Sequence, residues 1–333
     1  MAVRVAVDAM GGDHAPGEVI SGAIRAVRQA DGDLKVLLYG PEPKLRAVLA
    51  AHEPDPRISV VHAPDVIGMG EVPVAAVRAK PRSSIHLGLR GHRAGAADAF
   101  LSAGNTGAVV AASLFLLKRL SGAKRPSIPS FFPTTAGACI LLDVGSNMDS
   151  RPEHLVQFAR MGSAYARIMA EIEQPRVALL NVGEEPAKGN ELVRKAHEML
   201  TAAQDINFVG NVEGQDILHH RAEVIVCDGF VGNVVLKLVE SIGTALPRMA
   251  EQELDRLEAD PAARRVLSRI FKRLRRRFNP ADYGGGAPLL GVDGEVFILH
   301  GRSSADAVER CIQLAARAAR LNLNAAIKEA IAL

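Results

Sequence analysis

Several apolar runs in this chain end in glycine set beside aspartate, asparagine or threonine. Asp8-Ala-Met-Gly-Gly-Asp13 follows Val3–Val7, and Ser102-Ala-Gly-Asn-Thr-Gly107 follows the run from Ala99. Asp143-Val-Gly-Ser-Asn147, Gly210-Asn-Val-Glu-Gly214 and Asp228-Gly-Phe-Val-Gly-Asn233 repeat the theme. Glycine lets a ligand approach the main-chain N–H groups with no Cβ in the way. Asparagine and threonine add side-chain donors, and a helix N-terminus favours negative charge. Any one of these stretches is explained by helix capping alone. Brought to one sheet edge, they would make a phosphate or carboxylate site.

Two further residues follow apolar runs and could serve such a site. Lys188, in Gly183-Glu-Glu-Pro-Ala-Lys-Gly189, would add positive charge, or is a solvated loop lysine. His300, in His300-Gly-Arg-Ser-Ser304, would donate to an oxyanion, or caps its turn. The chain lacks GxGxxG after a strand, GxxxxGK[ST], HExxH and GxSxG. Dinucleotide, P-loop, zinc-protease and nucleophile-elbow chemistries lose their main support. An anion site without a side-chain nucleophile suggests that the bound anion itself reacts.

The elements that would position these residues alternate. Strands are expected at Val3–Val7, Val36–Tyr39, Ile58–His62, Ala99–Ser102, Ala138–Leu142, Val177–Asn181, Asn207–Val209, Val224–Cys227 and Val296–Leu299. Helices are expected near Gly17–Gln29, Pro43–Ala51, Ser84–Ala94, Thr106–Leu120, Glu153–Glu173, Asn190–Ala203, Asn233–Leu257, Ala263–Phe278 and Ala305–Leu321. Strands that are apolar throughout suit a mostly parallel sheet covered on both faces. The prediction is a three-layer α/β/α sandwich forming a single domain over 1–333. The 233–278 stretch holds no strand and breaks only at Ala259-Asp-Pro261, which predicts a protruding helical hairpin. Tyr283-Gly-Gly-Gly-Ala-Pro288 reads as a loop able to close over a site.

Apolar residues make up 48% of the 333, enough for a substantial core. Cys139, Cys227 and Cys311 lie far apart with no CxxC spacing, so neither a disulfide framework nor a zinc site is expected. The N-terminus enters a strand with no signal-peptide layout, which predicts a cytoplasmic protein. The apolar run Ala108–Leu117 is too short to span a bilayer. Net charge is +3, yet eight basic and no acidic residues fall between Arg264 and Arg277, leaving the rest acidic. Val266, Leu267, Ile270, Phe271, Leu274 and Phe278 recur there at helical spacing, with Arg269, Lys272, Arg273 and Arg276 among the residues between them. Such a basic amphipathic helix fits an anionic membrane surface, a partner subunit or an acidic carrier protein. Nucleic acid fits less well, since the chain has no tryptophan and few aromatics to stack bases.

Taken in order, five motifs resemble those of bacterial phosphate acyltransferases, the acyl-ACP:phosphate transacylases of phospholipid synthesis. They are Asp8–Asp13, Ser102–Ala108, Leu179–Glu185 with Lys188-Gly189, Val226–Asn233 and His300-Gly301, and the resemblance runs from about Val3 to about Ala319. It implies a homodimer with a fold similar to phosphotransacetylase and isopropylmalate dehydrogenase. The implied reaction takes long-chain acyl-ACP and inorganic phosphate to acyl phosphate for phosphatidic acid synthesis, without cofactor or metal. A membrane glycerol-3-phosphate acyltransferase is an implied partner, and the implied location is cytoplasmic and peripheral to the membrane. On this resemblance Gly11, Gly12, Gly104, Asn105, Thr106 and Asn147 hold phosphate or the reacting carbonyl. Lys188, Asn233 and His300 supply charge and stabilise the oxyanion, while Asp8 and Asp13 orient neighbouring donors. Three features depart from the family pattern. Ser146 stands where alanine is usual, the Tyr283 loop is one glycine richer, and the hairpin turn is too short for an obvious apolar tip.

Overall fold

The computed structural model describes residues 2–30, 32–257, 260–278 and 285–333, without the side chains of 275–277. Its strands are β1 (Val3–Asp8), β2 (Leu34–Gly40), β3 (Ile58–His62), β4 (Ala99–Ser102), β5 (Ser130–Thr134), β6 (Gly137–Leu142), β7 (Val177–Leu180), β8 (Phe208–Val212), β9 (Val224–Val226), β10 (Ala287–Pro288) and β11 (Val296–Ile298). The helices up to residue 202 are α1 (Gly17–Gln29), α2 (Glu42–Leu49), α3 (Pro73–Ala79), α4 (Ser84–Arg93), α5 (Thr106–Leu116), α6 (Pro152–Met169) and α7 (Glu191–Ala202). After them come α8 (Gly229–Arg256), α9 (Pro261–Phe278), α10 (Ala305–Arg320) and α11 (Leu323–Ile331).

The expected parallel α/β architecture is present, but its strands divide between two sheets. One has the order β10-β11-β4-β1-β2-β3, the other β5-β6-β9-β7-β8. Pairing is parallel throughout except at the edges, β10 on β11 and β5 on β6. Helices cover both faces, as strands buried on both sides require. On the first sheet α1 and α10 pack together on one side, with α4 and α5 on the other. One buried apolar cluster holds Val5, Leu38 and Leu101 of the first sheet with Ile140, Leu179 and Val226 of the second. Phe158 and Tyr165 of α6 belong to that same cluster.

All nine expected strands occur. The two that escaped notice lie at sheet edges, and Pro133 inside β5 explains its invisibility, since proline cannot donate to a ladder and is confined to edges. Helix α5 ends four residues early because Lys118 takes a left-handed φ of 72°. Helix α8 starts four residues before Asn233, because Asp228 Oδ1 accepts the N–H groups of Phe230 and Val231 at 2.9 and 3.0 Å. Helices α8 and α9 pack against each other, with Arg264 paired to Asp255 at 2.6 Å. Residues 258–259 lie outside the described residues, as do Tyr283 and Gly284 of the expected loop, whose remainder is described and runs into β10. All three cysteines are free and buried.

Candidate active site

The carboxyl ends of the parallel strands form two edges, one per sheet. On the first, β1 ends in buried Asp8. Its Oδ2 accepts the Ser102 hydroxyl at 2.6 Å and its Oδ1 accepts the Met10 N–H at 3.1 Å. Ser102 Oγ in turn accepts the Gly104 N–H at 2.9 Å. Burial pushes the Asp8 carboxyl up, opposed by donation from Ser102, Ser84 and the Met10 and Gly11 amides. A Cβ on Gly11 would lie 2.6 Å from both Asp8 Oδ2 and the Gly104 nitrogen, so glycine there permits two turns to touch. Gly12 adopts φ 101° and the Asp13 N–H donates to the Gly301 carbonyl at 2.7 Å. Asp8, Gly11, Gly12, Asp13, Gly104 and His300-Gly301 are thus one neighbourhood.

The second edge has an analogous organiser. Asp143, fully buried at the end of β6, accepts from Ile128 N–H at 3.0 Å, Ser146 Oγ at 2.6 Å and Asn147 N–H at 2.6 Å. This folds Asp143–Asn147 over the start of α8, where Gly229 N–H donates to the Asn147 carbonyl at 2.9 Å. A Cβ on Gly232 would lie 1.9 Å from the Asp143 carbonyl oxygen, so the helix can lie this close only with glycine.

The two edges meet at an apolar cleft of ≈ 500 Å³ lined by Val74, Thr106, Gly107, Val110, Ala111, Leu114, Phe115, Ile128, Gly145 and Ser146. Helix α5 supplies most of the lining, from the apolar stretch Ala108–Leu117. Val74, on α3, could not be found from the expected elements. At the head of the cleft, Asn105 Oδ1 caps α5 by accepting the Ala108 N–H at 3.1 Å. The amides of Thr106 and Gly107 are left without an intrahelical acceptor. Gly145 takes φ 137°, and Asn233 Oδ1 lies 3.6 Å from where its Cβ would be. Neither the Gly145 N–H nor the Asn233 amide has a partner among the described residues. Two helix-end amides, one turn amide, the Thr106 hydroxyl and the Asn233 amide therefore stand beside an apolar groove.

Two of the expected site residues are engaged by the protein itself. The Asn105 amide donates to the Met69 and Glu71 carbonyls at 3.1 and 3.0 Å, and its oxygen serves the cap. Asn147 Nδ2 donates inward to the Pro126 carbonyl at 2.7 Å and to Asp143 at 3.0 Å. Both side chains tie the site's walls together. The α8 N-terminus is closed likewise by Asp228, so its dipole end is already occupied.

Lys188 is exposed on the loop after β7, its Cγ 3.1 Å from the Cβ position of Gly183. The described contacts tie it to its own loop and to Asn181, not to the cleft. His300 is exposed, with Nδ1 accepting the Arg302 N–H at 3.2 Å. Its neutral ring then carries the proton on Nε2, which is left as a donor. Arg269, Lys272 and Arg273 are exposed on α9, and the side chain of Arg276 lies outside the described residues. Ser102 and Asp143, to which the sequence reading assigned no role, are visible there as polar residues ending apolar strands. Among the described residues no group of three or more His, Cys, Asp or Glu could hold a metal.

A family described as fatty acid synthesis protein matches residues 3–326. A phosphate acyltransferase of Salinibacter ruber is 52% identical over 331 residues, covering 99% of this chain and 98% of the relative. A phosphate acyltransferase of Desulforamulus reducens is 46% identical, covering 99% and 97%. Among solved structures, a phosphotransacetylase from Streptococcus pyogenes superposes with a TM-score of 0.65 at 17% identity, covering 96% and 94%. A branched-chain phosphotransacylase from Enterococcus faecalis gives 0.61 at 14% identity, covering 95% and 99%.

Proposed function

Because the chain belongs to the fatty acid synthesis protein family and is an acyltransferase, we propose that it moves a long-chain acyl group from acyl-ACP to inorganic phosphate. The product is acyl phosphate, destined for phosphatidic acid. The observation that carries this reading is the apolar cleft headed by N–H donors with no partner among the described residues, a groove for an alkyl chain ending at a place for an anion. Phosphate is a nucleophile as it stands near neutral pH. One phosphate oxygen attacks the thioester carbonyl carbon, a C–O bond forms, and the carbonyl oxygen becomes an oxyanion. Collapse breaks the C–S bond, and the proton of the monohydrogen phosphate ends on the departing thiol.

The protein's contribution is to hold the reactants together and stabilise the oxyanion. The Thr106 and Gly107 amides, the Thr106 hydroxyl and the Gly145 amide are assigned to phosphate, and Asn233 to the carbonyl oxygen. Lys188 adds charge and His300 a donor from the loops flanking the two edges. Asp8 and Asp143 keep those loops in place.

The same reading makes the protein a cytoplasmic homodimer that touches the membrane through α8 and α9. Leu238, Leu246, Met249, Val266 and Ile270 are exposed there beside Arg269, Lys272 and Arg273, which supports contact with an anionic surface. A membrane glycerol-3-phosphate acyltransferase is the matching recipient of the product.

The test is release of ACP thiol from palmitoyl-ACP with and without phosphate, hydroxylamine trapping the product as hydroxamate. Phosphate-dependent release with hydroxamate is the expected result. Release from acyl-CoA but not acyl-ACP would move the enzyme to phosphotransacetylase-like chemistry, and no release from either would overturn the reading.

A further inference from the structure

Helix α5 does more than wall the cleft. Where Lys118 ends it, the chain doubles back through residues 118–126, and a second basin of ≈ 630 Å³ opens beside the first. Leu114 and Phe115 line both, so the two are contiguous. The basin is lined by Lys118, Arg119, Lys124, Arg125 and Arg151, with His154 beneath them and no carboxylate among the described lining residues.

The segments that carry these cations are held in place, and one carboxylate, Glu153, lies within electrostatic reach of Lys124 and Arg151. Gln157 Oε1 accepts the Lys124 N–H at 2.6 Å and its Nε2 donates to the Gly122 carbonyl at 2.9 Å. Arg119 donates to the Lys124 carbonyl, and the Asp293 N–H donates to the Lys118 carbonyl at 3.1 Å. Lys118, Lys124, Arg125 and Arg151 are exposed and form no ion pair among the described residues. His154 is 7% exposed, and its Nδ1 accepts the Arg151 N–H at 3.1 Å. Burial pushes this imidazole below its ordinary range; Glu153 opposes the shift, and Arg125, Arg151 and Lys124 deepen it.

We infer that this basin is the docking surface for the acidic carrier protein, which seats beside Phe115 and passes its acyl thioester into the cleft. The inference rests on the transacylase reading above and adds the place of docking. Five cations spread around one opening exceed what a single phosphate engages, whereas an acidic protein face meets several at once. Contiguity with the groove through Leu114 and Phe115 gives the acyl chain a way in. Rim charges of this kind chiefly raise the association rate and weaken with salt.

The experiment uses the full-length enzyme with K124E/R125E and R151E substitutions, all at exposed positions. The first readout is binding of fluorescently labelled ACP at low and high salt; the second is the KM for palmitoyl-ACP. Binding should weaken about tenfold, with much of the salt dependence lost, and the KM rise should be confined to the carrier, leaving the KM for phosphate in place. Carrier binding equal to wild type in both variants would overturn the docking site, whatever happens to turnover. So would an equal loss from R269E/K272E with none from the basin, which would place the carrier on α9. Dissociation of a dimer in light scattering would mark the basin as a subunit interface, and an equal KM rise with palmitoyl-CoA would mark it as a site for a prosthetic-group phosphate; either overturns docking. Absence of phosphate-dependent turnover in wild type, with ACP still bound through the basin, would instead count against the transacylase reading alone.

Discussion

Ser102 Oγ donates to Asp8 Oδ2 at 2.6 Å while accepting the Gly104 N–H at 2.9 Å, so one hydroxyl ties the ends of β1 and β4 together. S102A would leave a buried carboxylate and a buried amide each short of a partner. The expected loss is about 1–3 kcal/mol, read as a lowered urea midpoint. Turnover should fall as well, because Thr106 lies four residues beyond the broken contact.

Gly11→Ala should be worse than its size suggests. The added carbon would meet Asp8 Oδ2 and the Gly104 backbone nitrogen at 2.6 Å, and a backbone atom cannot rotate aside. A drop in melting temperature with loss of turnover is expected. A melting point and activity equal to wild type would show that the two turns can separate.

At the head of the cleft, Asn233→Ala should lower kcat by roughly 100-fold with little change in melting temperature, the pattern of a lost oxyanion donor. Lys188→Ala and His300→Ala should give smaller losses, seen in the KM for phosphate and in kcat respectively. If Lys188→Ala and Asn233→Ala both kept near-full turnover, the site assignment would fall.

Phe115 is 46% exposed and walls the cleft, with Arg78 stacked 5.5 Å from its ring centre. Phe115→Ala should weaken a sixteen-carbon donor by about 1 kcal/mol, roughly fivefold in KM, through lost apolar contact. A four-carbon donor should be far less affected, and kinetics on the two separate the outcomes.

Stability should fall with rising pH through one buried carboxyl. Glu295 Oε1 accepts the Asn324 N–H at 2.8 Å at the start of α11, and burial pushes its pKa from 4.5 to about 7. A carboxyl raised on folding holds its proton more tightly in the folded chain. Its stabilisation is therefore complete below pH 4.5 and lost as pH rises through about 7. The size is about 3 kcal/mol. Urea midpoints between pH 5 and 8.5 should decline in wild type and decline less in Glu295→Gln.

Unbroken apolar runs such as Val3–Val7 and Val224–Cys227 announce buried parallel strands, and their polar terminators announce the loops, so the frame was legible in the sequence. What could not be read was which side chains turn inward. Asn105 and Asn147 have the same composition around them as Asn233, yet tertiary carbonyls from Met69, Glu71 and Pro126 occupy the first two. The division into two sheets was hidden too, because periodicity marks strands without saying which of them pair. The basin escaped because its cations come from separate segments, Lys118–Arg125 and Arg151, and only folding adds them together.

The cleft is walled on its outer side by half-exposed residues, Val74 at 44% and Phe115 at 46%. An alkyl chain lying there keeps one flank in water, so each methylene is only partly desolvated and contributes well under the ~0.8 kcal/mol of full burial. Such a seat is a ledge and not a tunnel. If the transacylase reading holds, such a seat would rank chains by length gradually. On the same reading, an amphiphilic product held this loosely would leave for any drier surface within reach.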